Sequence, residues 1–225
     1  MMEHPQLQLT ADGSHTLFLA EMDEHYHSIN GAIQEARHVY IEAGFNQCKK
    51  DNIHVLELGF GTGLNALLTA LESQKRQIQT VYTTLEHYPL PPEIYNRLNY
   101  TEIDANLFPK IHAAAWEECV QLTPFFSLQK INADFNAYPF PDNYDVVYYD
   151  AFAPDKQPEV WSPQLFEALY AQMNPNGIIT TYCAKGNIRR MMQNAGFQVE
   201  RIAGPVGKRE MLRGVNRVNA LKMAL

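Results

Sequence analysis

The chain predicts an α/β protein: a mostly parallel, doubly wound sheet with an antiparallel C-terminal hairpin and a small N-terminal extension. Three observations carry this reading. From residue 51 onward, short runs rich in β-branched and aromatic residues alternate with segments of helical period. That order makes successive strands parallel and places helices on both faces of the sheet. One apolar run, Val55–Leu58, leads into glycines at alternate positions, Gly59, Gly61 and Gly63, and then into a helical segment. Finally, the last two extended runs, 197–203 and 210–214, have only a Gly-Pro-x-Gly loop between them. Too short for a crossover helix, that loop predicts antiparallel pairing.

The elements follow in order. Gln6–Thr10 and His15–Leu19 flank an Ala-Asp-Gly-Ser turn and read as a hairpin. A helix after Asn30 places Ile33, Ala36, Val39, Tyr40 and Ala43 on one face and stops at Gly44. Strands are expected at 53–58, 79–85, 126–131, 144–149 and 178–183, and helices at 64–73, 91–98, 163–173 and 187–194. Residues 108–120 read as helical, and Asn174-Pro-Asn-Gly177 as a turn. With 225 residues and 46% apolar content, the chain reads as one domain over 1–225, with an extension at 1–50 and the core at 51–225.

Composition removes several classes. No apolar run is long enough to cross a bilayer, and the N-terminus lacks the basic-then-apolar order of a signal peptide. Cys48, Cys119 and Cys183 are scattered and odd in number, which argues against a disulfide framework or structural zinc. A cytoplasmic protein without a membrane partner is expected. The net charge of −7 conceals an asymmetry. From Lys185 onward nine Lys or Arg stand against two acids, a surplus of seven, so the first 184 residues carry −14. A basic C-terminal quarter is either a phosphate-binding footprint or an ordinary solvated face.

The glycine turn is the first candidate site. Its glycines allow positive φ and let a ligand approach bare backbone, and the following helix offers its first amides. A dinucleotide fingerprint needs glycine at position 64, where this chain has Leu64. The form present, Glu57-x-Gly59-x-Gly61-x-Gly63, resembles the S-adenosylmethionine (SAM) turn of Rossmann-like methyltransferases. Phe60 and Asn65 belong to the same stretch and count with it as cofactor-binding candidates.

Four strand ends carry acids, where open α/β sheets bind ligands. Glu57 is placed to orient loop amides and to favour a cationic sulfonium over a pyrophosphate. Glu86, 23 residues beyond Gly63, is positioned to accept from ribose hydroxyls. Asp134 is either an acceptor for an adenine amino group, with Phe135 or Ala133 against the ring, or a turn aspartate. Asp150 opens Asp150-Ala-Phe-Ala-Pro154 and faces the position of an acceptor amine. A carboxylate there can hold the amine and help remove its proton.

Further segments make the resemblance specific. Gly59-Phe-Gly-Thr-Gly-Leu-Asn65, Asp150-Ala-Phe-Ala-Pro-Asp-Lys-Gln-Pro-Glu-Val-Trp161 and Gly207-Lys-Arg-Glu-Met-Leu212 resemble the methyltransferase-domain family of MnmC. Tyr26–Arg37 matches more loosely, and the resemblance runs from about residue 15 to Gly214. It implies a class I SAM-dependent methyltransferase that methylates the 5-aminomethyl group of a wobble (2-thio)uridine in tRNA. It also implies Glu57, Gly59, Gly61 and Gly63 as the SAM turn, Glu86 as the ribose acid, Asp134 as the adenine-side acid, and Asp150 as the acid engaging the amine. The flavin-dependent oxidase domain of the bifunctional family members finds no place in these 225 residues, so another enzyme is expected to supply the aminomethyl substrate. Substrate contacts are expected from Phe152 and Pro154, and from Lys185, Arg189, Lys208 and Arg209 against anticodon-arm phosphates. Phe152 or Tyr182 is a candidate to stack on a splayed uridine. A small-molecule or protein N-methyltransferase would need the glycine turn and Asp150 but not the basic quarter. A non-catalytic RNA- or SAM-binding adaptor would need no Asp150.

Overall fold

The computed structural model describes residues 5–217; Lys222, counted in the basic quarter, lies outside them. The chain opens with a three-stranded antiparallel sheet, β1 (Gln6–Leu9), β2 (His15–Leu19) and β3 (Glu24–His25), in the order β1-β2-β3. The expected hairpin is there, its turn tied by Thr10 and Ser14 to Asp12. The third strand is an addition too short to leave a sequence period. The next helix is α1 (Ala32–Ala36), which continues as a π-helical segment over Arg37–Glu42.

The core then runs β4 (Asn52–Leu58), α2 (Leu64–Arg76), β5 (Gln79–Leu85), α3 (Pro92–Tyr95), α4 (Leu107–Ala113), β6 (Cys119–Thr123) and β7 (Phe126–Ile131). It closes with β8 (Tyr144–Tyr149), α5 (Pro163–Ala171), β9 (Met173–Thr181), α6 (Gly186–Ala195), β10 (Gln198–Ala203) and β11 (Glu210–Val215). The eight-stranded sheet has the order β10-β11-β9-β8-β4-β5-β7-β6. Strands β7, β5, β4, β8 and β9 are parallel neighbours. At one edge β11 pairs antiparallel with β9 and with β10, so the predicted C-terminal hairpin forms. The chain leaves β4 in one direction and returns to its other side at β8, which makes the β4–β8 boundary the switch point.

Alternation along the strands sorts the core into two layers. Val55, Tyr82, Leu128, Val146 and Tyr148 pack with α1, α2 and α4, while Leu56, Leu58, Leu85, Val147 and Tyr149 pack with α5 and α6. Helix α5 starts at Pro163 because Ser162 caps it, its hydroxyl accepting from the Leu165 amide at 3.2 Å.

Two expectations are corrected. The helix expected over 108–120 ends at Ala113; Ala114 turns extended and β6 pairs antiparallel with β7. Only Val120 and Leu122 of β6 pack inward, so this edge strand carries little apolar signal. The segment expected to turn at 174–177 stays within β9 as an irregularity, with Asn176 at φ +63° and its amide donating to the Asn216 carbonyl at 2.7 Å.

Phe166 is fully buried and stacks on Tyr149 at a centroid distance of 4.9 Å. Phe166→Ala is expected to cost about 3–5 kcal/mol of unfolding free energy, since the cavity cannot collapse between two aromatic rings. Urea denaturation checks it.

Candidate active site

A cleft of about 980 Å³ opens over the ends of β4, β5 and β8, a size suited to a drug-sized ligand and part of a second one. The glycine turn forms its floor. Gly59, Gly61 and Gly63 all have positive φ, at +97°, +47° and +74°. The space matters as much as the dihedral. A Cβ on Gly61 would come to 3.0 Å from the Tyr26 ring, and one on Gly59 to 2.6 Å from the Asp150 carbonyl oxygen. Gly63 is the N-cap of α2, behind the cleft wall, near His112 and Phe60.

Glu86 ties the turn to β5. One carboxylate oxygen accepts from the Gly61 amide at 3.0 Å and the other from the Tyr88 amide at 2.9 Å. Burial raises its pKa, and these amide bonds oppose the rise. Asp134 is exposed at the cleft edge, where its Oδ1 accepts from the Asn136 amide at 2.9 Å in an Asx turn. Asp134 thus closes its own turn, as one of the two readings expected, and it also lines the cleft. Phe135, buried, and Phe60 line the cleft as well.

Glu57 lies deeper than the sequence implied. It is fully buried outside the cleft's lining, and its Oε2 accepts from Thr84 Oγ1 at 2.7 Å. Burial pushes its pKa up to about 8, helped by the charge on Asp150. At neutral pH it is mostly an uncharged acid beneath the turn, so direct attraction of a sulfonium does not follow from it.

Asp150 stands on the cleft wall, half-buried at the end of β8. Tyr40 donates its hydroxyl to Oδ1 at 2.5 Å, and Asn65 donates its amide to Oδ2 at 2.8 Å. Burial pushes the Asp150 pKa up to about 7; Tyr40 and Asn65 lower it, and Glu35 raises it. A carboxylate with that value exchanges protons near neutral pH.

Around it, Phe152 meets Tyr26 edge to face at 5.1 Å, and Tyr182 donates to the Ala151 carbonyl at 2.9 Å. Lys208 lines the same cleft, but its charge is already engaged. Its ammonium sits 4.0 Å from the Tyr182 ring centroid and 2.8 Å from Oε1 of the buried Glu35. Pro154, Lys185, Arg189 and Arg209 stand outside the cleft lining. Lys185 pairs with Asp155, while Arg209 is exposed. Seven carboxyl side chains and one Lys/Arg side chain, Lys208, line the cleft among the described residues, an acidic lining that favours a cationic ligand over an anionic one.

Sequence reasoning did not find Tyr40, which read as one apolar position among several on a helix face. It also gave no role to Glu35. No local signal marks either residue, because their partners lie 110 and 173 positions away.

The fold and turn define a SAM-dependent methyltransferase. A model of the S-adenosyl-L-methionine-dependent methyltransferase family matches residues 79–217, and the chain belongs to that family. Among individual proteins it is similar to the tRNA 5-methylaminomethyl-2-thiouridine biosynthesis bifunctional protein MnmC of Marinomonas sp., at 29% identity over 95% of this chain and 34% of the relative. The MnmC of Pseudoalteromonas atlantica is 30% identical over 93% of this chain and 33% of the relative. The chain therefore spans about a third of the length of these relatives. The crystal structure of MnmC2 from Aquifex aeolicus shares the fold, with a TM-score of 0.76 at 23% identity, covering 96% of this chain and 72% of that one.

The buried acid gives a signed stability prediction. Glu57 holds its proton up to about pH 8 when folded, against an ordinary value of 4.5. Between those limits the folded state binds more protons than the unfolded one, so stability falls as pH rises. Glu57→Gln is expected to remove that part of the slope between pH 4.5 and 8, as measured by denaturant midpoints across the range.

Proposed function

We propose that this chain methylates the 5-aminomethyl nitrogen of a wobble uridine in tRNA, with SAM as donor. The carrying observation is Asp150: an acid with a pKa of about 7 on the wall of the cleft that the glycine turn floors. The printed function of the MnmC relatives supplies the nucleoside class.

The residues fit SAM. Gly59 and Gly61 leave the space that a close ligand needs, and Glu86, braced by two amides, is the acceptor for ribose hydroxyls. Asp134 Oδ2 has no protein partner among the described residues and is the candidate for the adenine amino group, beside Phe135. SAM bound there supplies an electrophilic methyl group on a sulfonium. The rest is done by side chains. A primary alkyl amine is protonated at neutral pH and cannot act as a nucleophile until one proton leaves. Asp150 accepts a hydrogen bond from the ammonium, fixes the nitrogen and takes that proton. The acidic lining attracts the ammonium form, and Phe152 with Tyr26 gives the uracil ring an aromatic wall.

Lys185 and Arg189, together with the exposed Arg190 on the same helix and the exposed Arg209, form the candidate phosphate contacts. Lys208, paired with Glu35 inside the cleft, is assigned to the amine site in this reading.

Nucleoside mass spectrometry of aminomethyl-bearing tRNA after incubation with the protein and SAM is expected to give a wobble nucleoside heavier by one methyl group. Methylation of free amines but not of tRNA would replace this reading with a small-molecule methyltransferase. Asp150→Asn is expected to lower kcat by about 100-fold or more while SAM affinity is kept. Reversing charge at Arg190 and Arg209 together is expected to lower the slope of log tRNA affinity against log salt by roughly two, as measured by filter binding.

A further inference from the structure

Asp150 is held by two donors from two different helices, and neither belongs to the cofactor turn's glycines. We propose that Tyr40 and Asn65 are positioning residues that clamp the two carboxylate oxygens of Asp150 and keep it ionised and aimed at the substrate nitrogen. The inference rests on the assignment of Asp150 as the base of the methyl transfer.

The geometry is two-sided. Tyr40 Oη donates to Oδ1 and Asn65 Nδ2 to Oδ2, and both bonds are stronger to a carboxylate than to a carboxylic acid, whose hydroxyl oxygen is a poorer acceptor. Of roughly four lone-pair positions on a carboxylate, two remain for the amine. Held at both ends, Asp150 cannot rotate about its last bond without breaking a charge-assisted hydrogen bond.

The backbone is distorted where the clamp needs it. Tyr40 lies in the π-helical stretch Arg37–Glu42, and the Ala43 amide reaches back to the His38 carbonyl at 3.2 Å, five residues away. Such bulges are rare and collect at functional sites. Here the bulge sits where a fully buried tyrosine turns its hydroxyl onto an acid 110 positions away.

The layer below completes the argument. Glu57 Oε1 and Asn65 Oδ1 are both buried without a hydrogen-bond partner among the described residues. The buried Tyr82 hydroxyl, also without a partner among the described residues, is one donor within reach of Glu57. A proton held on Glu57 is a second, and it also spares Asp150 a second negative charge from below. The other ionisable groups facing Asp150 are Glu35 on α1, Lys208 in the loop before β11, Tyr82 on β5 and Tyr182 after β9. None of these donates a hydrogen bond to it, which singles out Tyr40 and Asn65.

Tyr40→Phe keeps the ring and removes one donor. Carbon-13 NMR titration of the Asp150 carboxyl in the full chain is expected to place its pKa about one unit higher than in the wild type, because the lost bond favoured the charged form. The acid limb of kcat/KM should move up by the same amount, and kcat should fall about tenfold at pH 7 with KM for SAM unchanged. An unchanged Asp150 titration and acid limb in a folded Tyr40→Phe protein would overturn the clamp. If Tyr40→Phe does not fold, Asn65→Ala applies the same titration test to the other oxygen. If the wild type methylates no tRNA, the proposed reaction falls, while the NMR titration still decides whether the two donors hold Asp150.

Discussion

At the ends of β4 and β8, two backbones run closer together than any side chain would permit. A Cβ on Gly59 would stand 2.6 Å from the carbonyl oxygen of Asp150, and the Asp150 amide donates to the Leu58 carbonyl at 3.1 Å. That seam makes the cofactor turn and the acid's main chain one rigid piece. Parallel pairing sets it, with Leu58 opposite Tyr149 in register. Helix α2 starts from the same turn, so Asn65, two residues past its N-cap, is delivered to Asp150 without a further loop. The distance between the glycine turn and the proposed base is thereby fixed by sheet geometry, which is stiffer than any loop.

The acids at the strand ends share a chemistry but not a surrounding, and the surroundings divide the work among them. Burial raises the pKa of Glu57, Glu86 and Asp150 alike. What opposes burial differs. Glu86 has two backbone amides and suits a fixed acceptor. Asp150 has Tyr40 and Asn65, which leaves it near 7 and able to exchange a proton. Glu57 has side-chain donors, Thr84 first and then Asn65 and Tyr82, and under full burial settles near 8, as a mostly neutral brace under the turn. A difference in depth, greatest at Glu57, separates the buried acid from the one proposed to take the proton.

Much of this was legible in the sequence because it was local. The glycine turn, the acids Glu86 and Asp150 just past β5 and β8, and the short C-terminal connection are patterns over a few residues, and the structure has each of them. Boundaries failed where the signal was thin. Residues 114–122 alternate weakly at a sheet edge, so a helical reading ran on past Ala113. Roles failed where the partner was remote. Tyr40 has the periodicity of a core residue and is one, apart from its hydroxyl. The pairing of Lys208 with a buried carboxylate on α1 was equally out of sight. Depth was also invisible: nothing in Glu57-x-Gly59 distinguishes an acid facing the ligand from one facing the core.

The parts of the site that are not generic come from the two ends of the chain. A Rossmann core with a glycine turn and a ribose acid serves many methyl acceptors. Here the extension supplies Tyr26 against Gly61, Glu35 against Lys208 and Tyr40 against Asp150. The C-terminal hairpin answers it. Lys208 reaches Glu35 across 173 positions, His38 bonds the Ala203 carbonyl at 2.8 Å, and Arg213 donates to the Ala43 carbonyl at 3.4 Å. Both ends therefore have to be folded and docked before Asp150 acquires its donor at Oδ1 and its neighbouring charges. The glycine turn and Glu86 belong to the core alone, whereas the surroundings proposed to tune Asp150 are complete only when the segment around Glu35 and Tyr40 and the C-terminal hairpin have met.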